Sequence, residues 1–267
     1  MEPLEVRGTI KQSRRIDGWF ARGAAGLFGL LDYVQQQNDV RGDLFEVGVH
    51  HGKSAVFLGR MARPSETLGI CDVFANQNIN ISGSGSGQRE IFERNMRSIA
   101  PEAKVRIYEK LSSVLTTEEL GGPYRFFHVD GGHLAEEALS DLRLGASVLD
   151  QRGLLIVDDA FSPQWPGVTE AIFVFISEFP EFQPVALGFN KLVLTRGDTR
   201  SIYDTELVAR ATSYFDRTLY IQKKLPIFGS QAVIFFTPSD RQMPRIQTIL
   251  VRIGWLISGV RRRVLKK

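Results

Sequence analysis

Between residues 43 and 195, short apolar stretches alternate with longer segments whose apolar positions recur every three or four residues. This alternation of strand and helix patterns is typical of a parallel sheet with crossover helices. The predicted strands are Leu44–Val47, Thr67–Cys71, Val105–Tyr108, Tyr124–Val129 and Leu154–Val157. The helices predicted between and after them are Ser54–Met61, Ile91–Ile99, Leu134–Leu149 and Gly167–Phe179.

The segments on either side of this alternation carry patterns of their own. Two apolar runs flank residues 188–190, so residues 182–195 are predicted to form a hairpin. Ile16–Gln37 is predicted to be an amphipathic helix that covers one face of the sheet or the entrance to a site. After residue 200 we expect a helix over Thr205–Lys223 and a strand over Ala232–Phe236. The expected organisation is one globular unit with an N-terminal helical cap, a central α/β domain and a C-terminal extension, over residues 1–42, 43–200 and 201–267.

Composition narrows the class of protein. The 267 residues are 43% hydrophobic and 24% charged, as in soluble globular proteins of one or two domains. A single cysteine, Cys71, excludes an internal disulfide framework and a cysteine-based zinc cluster. No apolar run approaches the roughly 18 residues of a membrane span, and the first residues do not resemble a signal peptide. A cytoplasmic protein is therefore expected.

The net charge of +3 is unevenly distributed, because residues 241–267 contain eight basic residues and no acidic one. The remainder of the chain is net negative and shows no basic stripe with interleaved aromatic residues, so nucleic acid is not an expected partner. Ile246–Leu265 can form a helix with an apolar side and a basic end. Residues 246–267 then either contact a membrane surface peripherally or pack on the domain or on a second subunit. A homodimer or higher homo-oligomer is expected.

The first predicted strand runs into a glycine turn at residues 46–54, which read EVGVHHGKS. A dinucleotide-binding fingerprint requires a third glycine that is absent here. A phosphate-binding P-loop requires four residues between its glycines, and only three separate Gly48 from Gly52. The pattern E-x-G-x-x-x-G, which begins at Glu46, fits.

This pattern resembles the first motif of class I S-adenosylmethionine-dependent methyltransferases, and the order of elements is similar to their fold. The resemblance implies an α/β, Rossmann-like fold: a mostly parallel seven-stranded sheet with a closing hairpin and helices on both faces. Residues 43–200 would be the S-adenosylmethionine-binding catalytic domain. Glu46 would hold the methionine moiety of the cofactor, Asp72 the ribose hydroxyls and Ser112 the adenine end. The implied cofactor-binding residues are Glu46, Gly48, Gly52, Ser54, Asp72 and Ser112.

Three carboxylates follow the fourth and fifth predicted strands. Asp130 ends the fourth strand, and Asp158 and Asp159 end the fifth. The carboxyl ends of neighbouring parallel strands line one crevice, so these side chains are expected to converge beside Gly48. Three close carboxylates repel one another unless a cation lies among them, and oxygen ligands suit Mg²⁺ or Mn²⁺. Asp130, Asp158 and Asp159 are therefore the predicted metal ligands.

The glycine turn, the Ser-Gly repeats within residues 78–87 and these strand ends are together similar to metal-dependent O-methyltransferases that act on sugar hydroxyls. That branch includes the macrocin O-methyltransferase type, and the resemblance covers roughly residues 15–195. Relatives of the macrocin type carry a second acid two residues after the first metal-binding aspartate, where this chain has Gly132. The Ser-Gly repeats would be either a plain loop or a mobile lid.

His133 is the neighbour that can replace the missing acid as the proton acceptor, because a neutral imidazole accepts a proton near pH 7. It would act with Asp130, the other predicted catalytic residue; alternatively, His133 caps the helix that follows. His128, inside the fourth strand, is expected to be a core histidine. Lys191 and Arg196 are given no role beyond that of solvated charges.

The resulting hypothesis is an S-adenosylmethionine- and Mg²⁺-dependent O-methyltransferase that modifies a hydroxyl of a sugar, glycoside or polysaccharide precursor. Its acceptor would be a small molecule or an oligosaccharide. One alternative acceptor is the hydroxyl of a phenol, catechol or polyketide. Trp165 could stack on a planar phenol ring as readily as on a sugar ring. Another hypothesis is a non-catalytic nucleoside-binding module.

Overall fold

The structure, a computed structural model, describes residues 1–80, 85–215 and 221–236. Within these ranges the strands are β1 (Asp43–Val47), β2 (Thr67–Cys71), β3 (Lys104–Tyr108), β4 (Tyr124–Val129), β5 (Leu149–Val157), β6 (Phe182–Gly188), β7 (Lys191–Arg196), β8 (Ile221–Ile227) and β9 (Ser230–Phe236). The α-helices are α1 (Pro3–Gln12), α2 (Arg22–Gln37), α3 (Ala55–Met61), α4 (Arg89–Ile99), α5 (Thr117–Leu120), α6 (Ala135–Val148), α7 (Pro166–Glu178) and α8 (Ser201–Tyr214).

All described strands belong to one sheet with the order β3-β2-β1-β4-β5-β7-β6-β9-β8. Strands β1 to β5 pair in parallel, and β7 pairs antiparallel with both β5 and β6. The class predicted from the sequence is thus confirmed: an α/β, mostly parallel sheet closed by the hairpin β6–β7. In the turn of that hairpin, Phe189 and Asn190 both have positive φ, which matches the twist of the flanking strands.

Helices cover both faces of the sheet. Successive residues of a strand point to opposite faces, and in β5 Leu154 and Ile156 pack into one apolar cluster while Leu155 and Val157 pack into the other. Helices α1 to α4 and α8 contribute to the first cluster, and α5 to α7 contribute to the second. Because α1 and α2 share the first cluster with the sheet, residues 1–42 are part of the same packed body.

Two expectations about the elements outside residues 43–200 need correction. The described sheet has nine strands rather than seven, because the hairpin β8–β9 extends it beyond β6. The helix expected over Thr205–Lys223 ends at Tyr214, and Ile221–Ile227 is a strand. Phe228 and Gly229, both with positive φ, form the two-residue turn that folds β8 back onto β9.

The N-terminal helix also differs from the expectation. The amphipathic segment begins at Arg22 rather than Ile16, and a separate helix, α1, precedes it. Residues 17–21 between these helices have no regular structure and lie against the cavity described below.

The ends of the parallel strands are aligned by hydrogen bonds. The backbone N–H of the first residue after β1, β2, β4 and β5 donates to the last carbonyl of a neighbouring strand. These bonds join Asp72 to Tyr108, Gly48 to Cys71, Asp130 to Val47 and Asp158 to Val129, with N···O distances of 3.2, 2.8, 2.9 and 2.9 Å. We call Asp72, Gly48, Asp130 and Asp158 the strand-end row.

None of the helices in the described part of the chain combines the length and apolar character needed to cross a bilayer. The tail predicted over residues 246–267 lies outside the described residues. Residues 81–84, which are part of the Ser-Gly segment, also lie outside them.

Candidate active site

The strand-end row forms the floor of a cavity of about 910 Å³. This volume is within the range of about 300–1,000 Å³ found for cofactor and substrate sites. All four residues of the row line it, and residues 17–21 and Trp165 contribute to its walls. An open parallel sheet binds ligands at this edge, where the carboxyl ends of the strands meet.

Position 48 requires a glycine, because the ends of β1 and β4 approach each other closely there. A side chain here would place its Cβ 1.9 Å from the carbonyl oxygen of Asp130, and the residue has φ +77°. Only glycine adopts this conformation at no steric cost. The turn therefore lets β1 and β4 end side by side at the cavity floor.

Asp72 holds the turn from below. Its Oδ2 accepts hydrogen bonds from the N–H groups of Val49 and His50 at 2.7 and 2.9 Å, and its Oδ1 accepts one from Phe74 at 2.6 Å. An ionised carboxylate has about four acceptor positions, so the side chain retains capacity for a further donor. The residue predicted to hold a ribose thus also shapes the glycine turn.

The other predicted cofactor residues divide into two groups. Ser54 and Ser112 line the cavity with Gly48 and Asp72, whereas Gly52 and Glu46 do not. Gly52 has φ +85° and lies against Phe92. We call Gly48, Ser54, Asp72 and Ser112 the glycine-turn side of the cavity.

Glu46 lies behind this side with no exposed surface, and its Oε1 is 2.8 Å from Nδ1 of His128. Burial raises the pKa of Glu46 to about 8, against opposing effects of the Ser54 hydroxyl and the Lys191 ammonium. Burial, with a smaller effect from Lys191, lowers the pKa of His128 to about 3. Both groups are therefore neutral at pH 7, and His128 is a core histidine as expected.

On the other side of the cavity, the predicted metal ligand Asp158 has a cation beside it. The Lys191 ammonium lies 2.5 Å from Asp158 Oδ2, and Lys191 is 1% exposed. The expectation that Lys191 is a solvated charge is therefore wrong. Arg196 is also engaged, because its guanidinium donates to the carbonyl oxygens of Ala146 and Asp150.

Asp130 adjoins this ion pair. Burial, and after it the neighbouring carboxyl of Asp158, holds the pKa of Asp130 well above its ordinary range, although the Lys191 ammonium opposes the shift. Two close carboxyl groups that share one cation tend to retain a proton between them. A second negative charge beside Asp158 is therefore disfavoured at Asp130.

Asp159 and His133 form a second pair on this side. Nε2 of His133 lies 2.9 Å from Asp159 Oδ2, and Asn190 donates to the other carboxylate oxygen. Burial raises the pKa of Asp159, but the hydrogen bonds from His133 and Asn190 outweigh it and the net pKa is lowered. The ionised carboxylate can only accept, so Nε2 is the donor; the neutral tautomer that donates in this way has its lone pair on Nδ1. Trp165 stacks on the imidazole at a centroid distance of 4.0 Å.

We call Asp130, His133, Asp158, Asp159 and Lys191 the carboxylate side. It does not fit the oxygen-only magnesium site expected from Asp130, Asp158 and Asp159. Both oxygens of Asp158 are engaged, Oδ1 by the N–H of Asp159 at 2.8 Å and Oδ2 by Lys191. Ligand atoms of Asp130, His133 and Asp159 do lie within 4.8 Å of one another, but that set includes an imidazole nitrogen, which Mg²⁺ does not favour.

Lys191 and Asn190 are site residues that the sequence pattern did not reveal. The antiparallel register pairs Val157 with Leu192, which places Lys191 opposite Asp158. The hairpin itself was predictable, and its return strand had to lie next to β5 if the sheet closed in the expected way. Lys191 could therefore have been recognised as a site residue from its position directly after the hairpin turn, at the edge of the sheet that faces the cavity.

Known proteins resemble this chain in sequence and in fold. Residues 45–160 match a family model described as a methyltransferase domain. The match covers less than half of the chain, and over these residues the chain is similar to methyltransferase domains. Among curated proteins, no significant match to the sequence is found.

Solved structures share this fold. The O-methyltransferase NovP is 18% identical and has a TM-score of 0.53, with 64% of this chain and 80% of that chain covered. CalS11, described as a TDP-rhamnose 3'-O-methyltransferase, is 15% identical with a TM-score of 0.50, over 73% and 94% of the two chains. An O-methyltransferase from Bacillus cereus in complex with S-adenosylhomocysteine is 14% identical with a TM-score of 0.50, over 72% and 89%. At these identities the likeness concerns the methyltransferase fold.

Proposed function

We propose that the protein transfers the methyl group of S-adenosylmethionine to a hydroxyl of a sugar, glycoside or polysaccharide precursor. The observation that carries the proposal is the continuity of the cavity floor. The glycine-turn side, which suits a nucleoside, adjoins a paired imidazole and carboxylate on the same row of strand ends. Cofactor and acceptor would then meet in one cavity.

The glycine-turn side would bind the cofactor. Ser54 and the turn around Gly48 would face the methionine moiety, Asp72 would accept from the ribose hydroxyls and Ser112 would contact the adenine end. Gly52 would support the turn from outside the cavity wall, and Glu46 would act from behind it as a neutral buried group. These roles place the sulfonium methyl toward the carboxylate side.

His133 would accept the proton of the attacking hydroxyl. Asp159 fixes the imidazole with Nε2 protonated, and Nδ1 is buried with no hydrogen-bond partner among the described residues. As the oxygen–carbon bond forms, the sulfur–carbon bond breaks and its electron pair passes to sulfur. The hydroxyl proton moves to Nδ1, and S-adenosylhomocysteine leaves. No step of this proposal passes through a metal ion.

Aromatic side chains at the cavity favour a ring-shaped acceptor. Trp19 is 82% exposed and lines the cavity, as do Phe20, Trp165 and Phe189. Sugar rings present apolar faces that stack on such residues, while polar neighbours such as Gln164 and Asn190 can receive their hydroxyls. The description of CalS11 as acting on TDP-rhamnose supports the choice of a sugar.

The proposal is tested by mass spectrometry of products formed with methyl-labelled S-adenosylmethionine. A panel of nucleotide sugars, monosaccharides and oligosaccharides is compared with a panel of catechols. We expect labelled methyl ethers in the sugar panel only. Methyl transfer to catechols alone would show that the acceptor is a phenol and not a sugar. If calorimetry detected no binding of S-adenosylhomocysteine, the proposal that the protein is a methyltransferase would be wrong.

A further inference from the structure

The ion pair between Lys191 and Asp158 is the feature of the cavity that the expected magnesium chemistry leaves unexplained. The lysine side chain is 2% exposed and the aspartate side chain 8%, with 2.5 Å between the charged atoms. A buried charge is retained only when it is paired, and removal of either partner leaves the other uncompensated. The pair is therefore a fixed part of the cavity floor.

Several groups from different elements surround the ammonium. Asp158 follows β5, and Asp130 at the end of β4 and Glu46 in β1 lie close enough to Lys191 to interact with its charge. The ring of Phe20, from the segment before α2, lies 5.4 Å from Nζ. The imidazole of His128 in β4 also feels the charge, since Lys191 contributes to its lowered pKa. The charge of one ammonium group therefore interacts with several acidic groups at the cavity floor.

We propose that Lys191 takes the place of the divalent cation at this site, so that methyl transfer by this protein is independent of metal. This inference rests on the proposed function. Lys191 is a positioning residue: it holds Asp158, and through it Asp130, in the arrangement that the acceptor hydroxyl meets. A divalent ion would have to displace a buried ammonium whose charge repels it.

The remaining acidic groups agree with this assignment. Asp159 is held by His133 and Asn190, and Asp158 by Lys191 and the N–H of Asp159. With Lys191 present, each carboxylate oxygen of Asp158 and Asp159 already has a partner in the protein. If Lys191 loses its charge, Oδ2 of Asp158 is freed and the acidic cluster lacks its cation, so a hard divalent ion can take that place with oxygen ligands.

The test measures binding of Mn²⁺ alone, by electron paramagnetic resonance, to protein first treated with EDTA. We expect the wild type to bind no stoichiometric Mn²⁺ and Lys191→Met to gain one site at least about tenfold tighter, since about 1.4 kcal/mol corresponds to tenfold. Adding Asp158→Asn to Lys191→Met should remove the new site. Lys53→Met is the matched control: its lysine also lines the cavity but donates to the Gly18 carbonyl, so no Mn²⁺ site should appear.

Methyl transfer gives the second measurement. Wild-type turnover should be unchanged by EDTA, Lys191→Arg should keep most of it, and Lys191→Met should lose most of it and regain part when Mn²⁺ is added. If Lys191→Met does not fold without metal, its melting temperature should rise with Mn²⁺ concentration, whereas that of the wild type should not.

Two outcomes would overturn the inference. One is stoichiometric Mn²⁺ binding by the wild type that Asp159→Asn abolishes, because it would assign a resident metal to Asp130, His133 and Asp159. The other is failure of Lys191→Met to gain Mn²⁺ binding by either measurement. Neither depends on the acceptor, and binding of S-adenosylhomocysteine to the wild type separates a failure of this inference from a failure of the proposed function.

Discussion

The two sides of the cavity are built in different ways. On the glycine-turn side, Asp72 is held by three backbone N–H groups, two of them from the turn that follows β1. On the carboxylate side, Asp158 and Asp159 depend on the side chains of Lys191, Asn190 and His133. Groups held by the backbone of a nearby turn therefore leave a motif in the sequence, whereas groups held by distant side chains do not.

Proton transfer is proposed to occur on the carboxylate side, and replacement of His133 tests this most strongly. His133→Gln should lower kcat by about 10²–10⁴-fold, the usual contribution of a general base. The affinity for S-adenosylhomocysteine should stay unchanged, since that ligand belongs to the other side. Methyl-transfer rates and calorimetry provide the two measurements.

His51→Gln is the control for this change, because His51 does not line the cavity and bonds Gln88 instead. It should leave kcat unchanged. If His133→Gln lost as much cofactor affinity as kcat, the assignment of cofactor binding and proton transfer to separate sides of the cavity would be wrong.

Asp72→Asn affects the glycine-turn side. The amide cannot accept at both positions, so one set of backbone N–H groups loses a charged acceptor worth about 1.5–3 kcal/mol. The dissociation constant for S-adenosylhomocysteine should rise by about 10–100-fold in calorimetry. Asp17→Asn, at a carboxylate that lines the cavity without holding the turn, should change it little. Equal effects of the two substitutions would contradict the special role of Asp72.

The neutral state of Glu46 predicts a pH dependence of stability. Its pKa is raised from 4.5 to about 8 in the folded protein, so the folded state binds more protons between these values. Stability contributed by this group is therefore fully present below about pH 4.5 and is lost as the pH rises toward 8. The slope is at most about 1.4 kcal/mol per pH unit.

Urea unfolding between about pH 7.5 and 8.5 separates this effect from that of His128, whose pKa is lowered from 6.5 to about 3 and which is mostly neutral in both the folded and the unfolded state there. Glu46→Gln should flatten the fall in the free energy of unfolding over this window. Glu90→Gln, at an exposed position of α4, should leave the slope as it is. An unchanged slope in Glu46→Gln would mean that Glu46 is ionised.

The smallest expected effect concerns Ser112. Loss of one neutral hydrogen bond costs about 0.5–1.5 kcal/mol, so Ser112→Ala should weaken S-adenosylhomocysteine binding by about two- to tenfold. Ser113→Ala is the neighbouring control, since Ser113 also lines the cavity but has no assigned contact. If Ser113→Ala weakens binding more than Ser112→Ala does, the adenine end has been assigned to the wrong serine.

Much of the fold was predictable from local patterns. The strands Thr67–Cys71 and Tyr124–Val129 have the predicted bounds, because their apolar runs are buried on both faces of the sheet. The hairpin β8–β9 was only half predicted, since the lysines and Pro226 within β8 obscure its strand pattern. An edge strand tolerates such residues, which removes the alternation that prediction relies on.

Local patterns along the chain were enough to predict the order of elements, the glycine turn and the acidic residues at the strand ends, because each depends on neighbours a few positions away. Only the tertiary structure decided what neutralises those acids. Lys191 is 33 residues after Asp158 and reaches it through the antiparallel return of β7. The charge balance of a buried cluster is a sum over groups from several strands, so the buried partner of Asp158 is set by tertiary contacts.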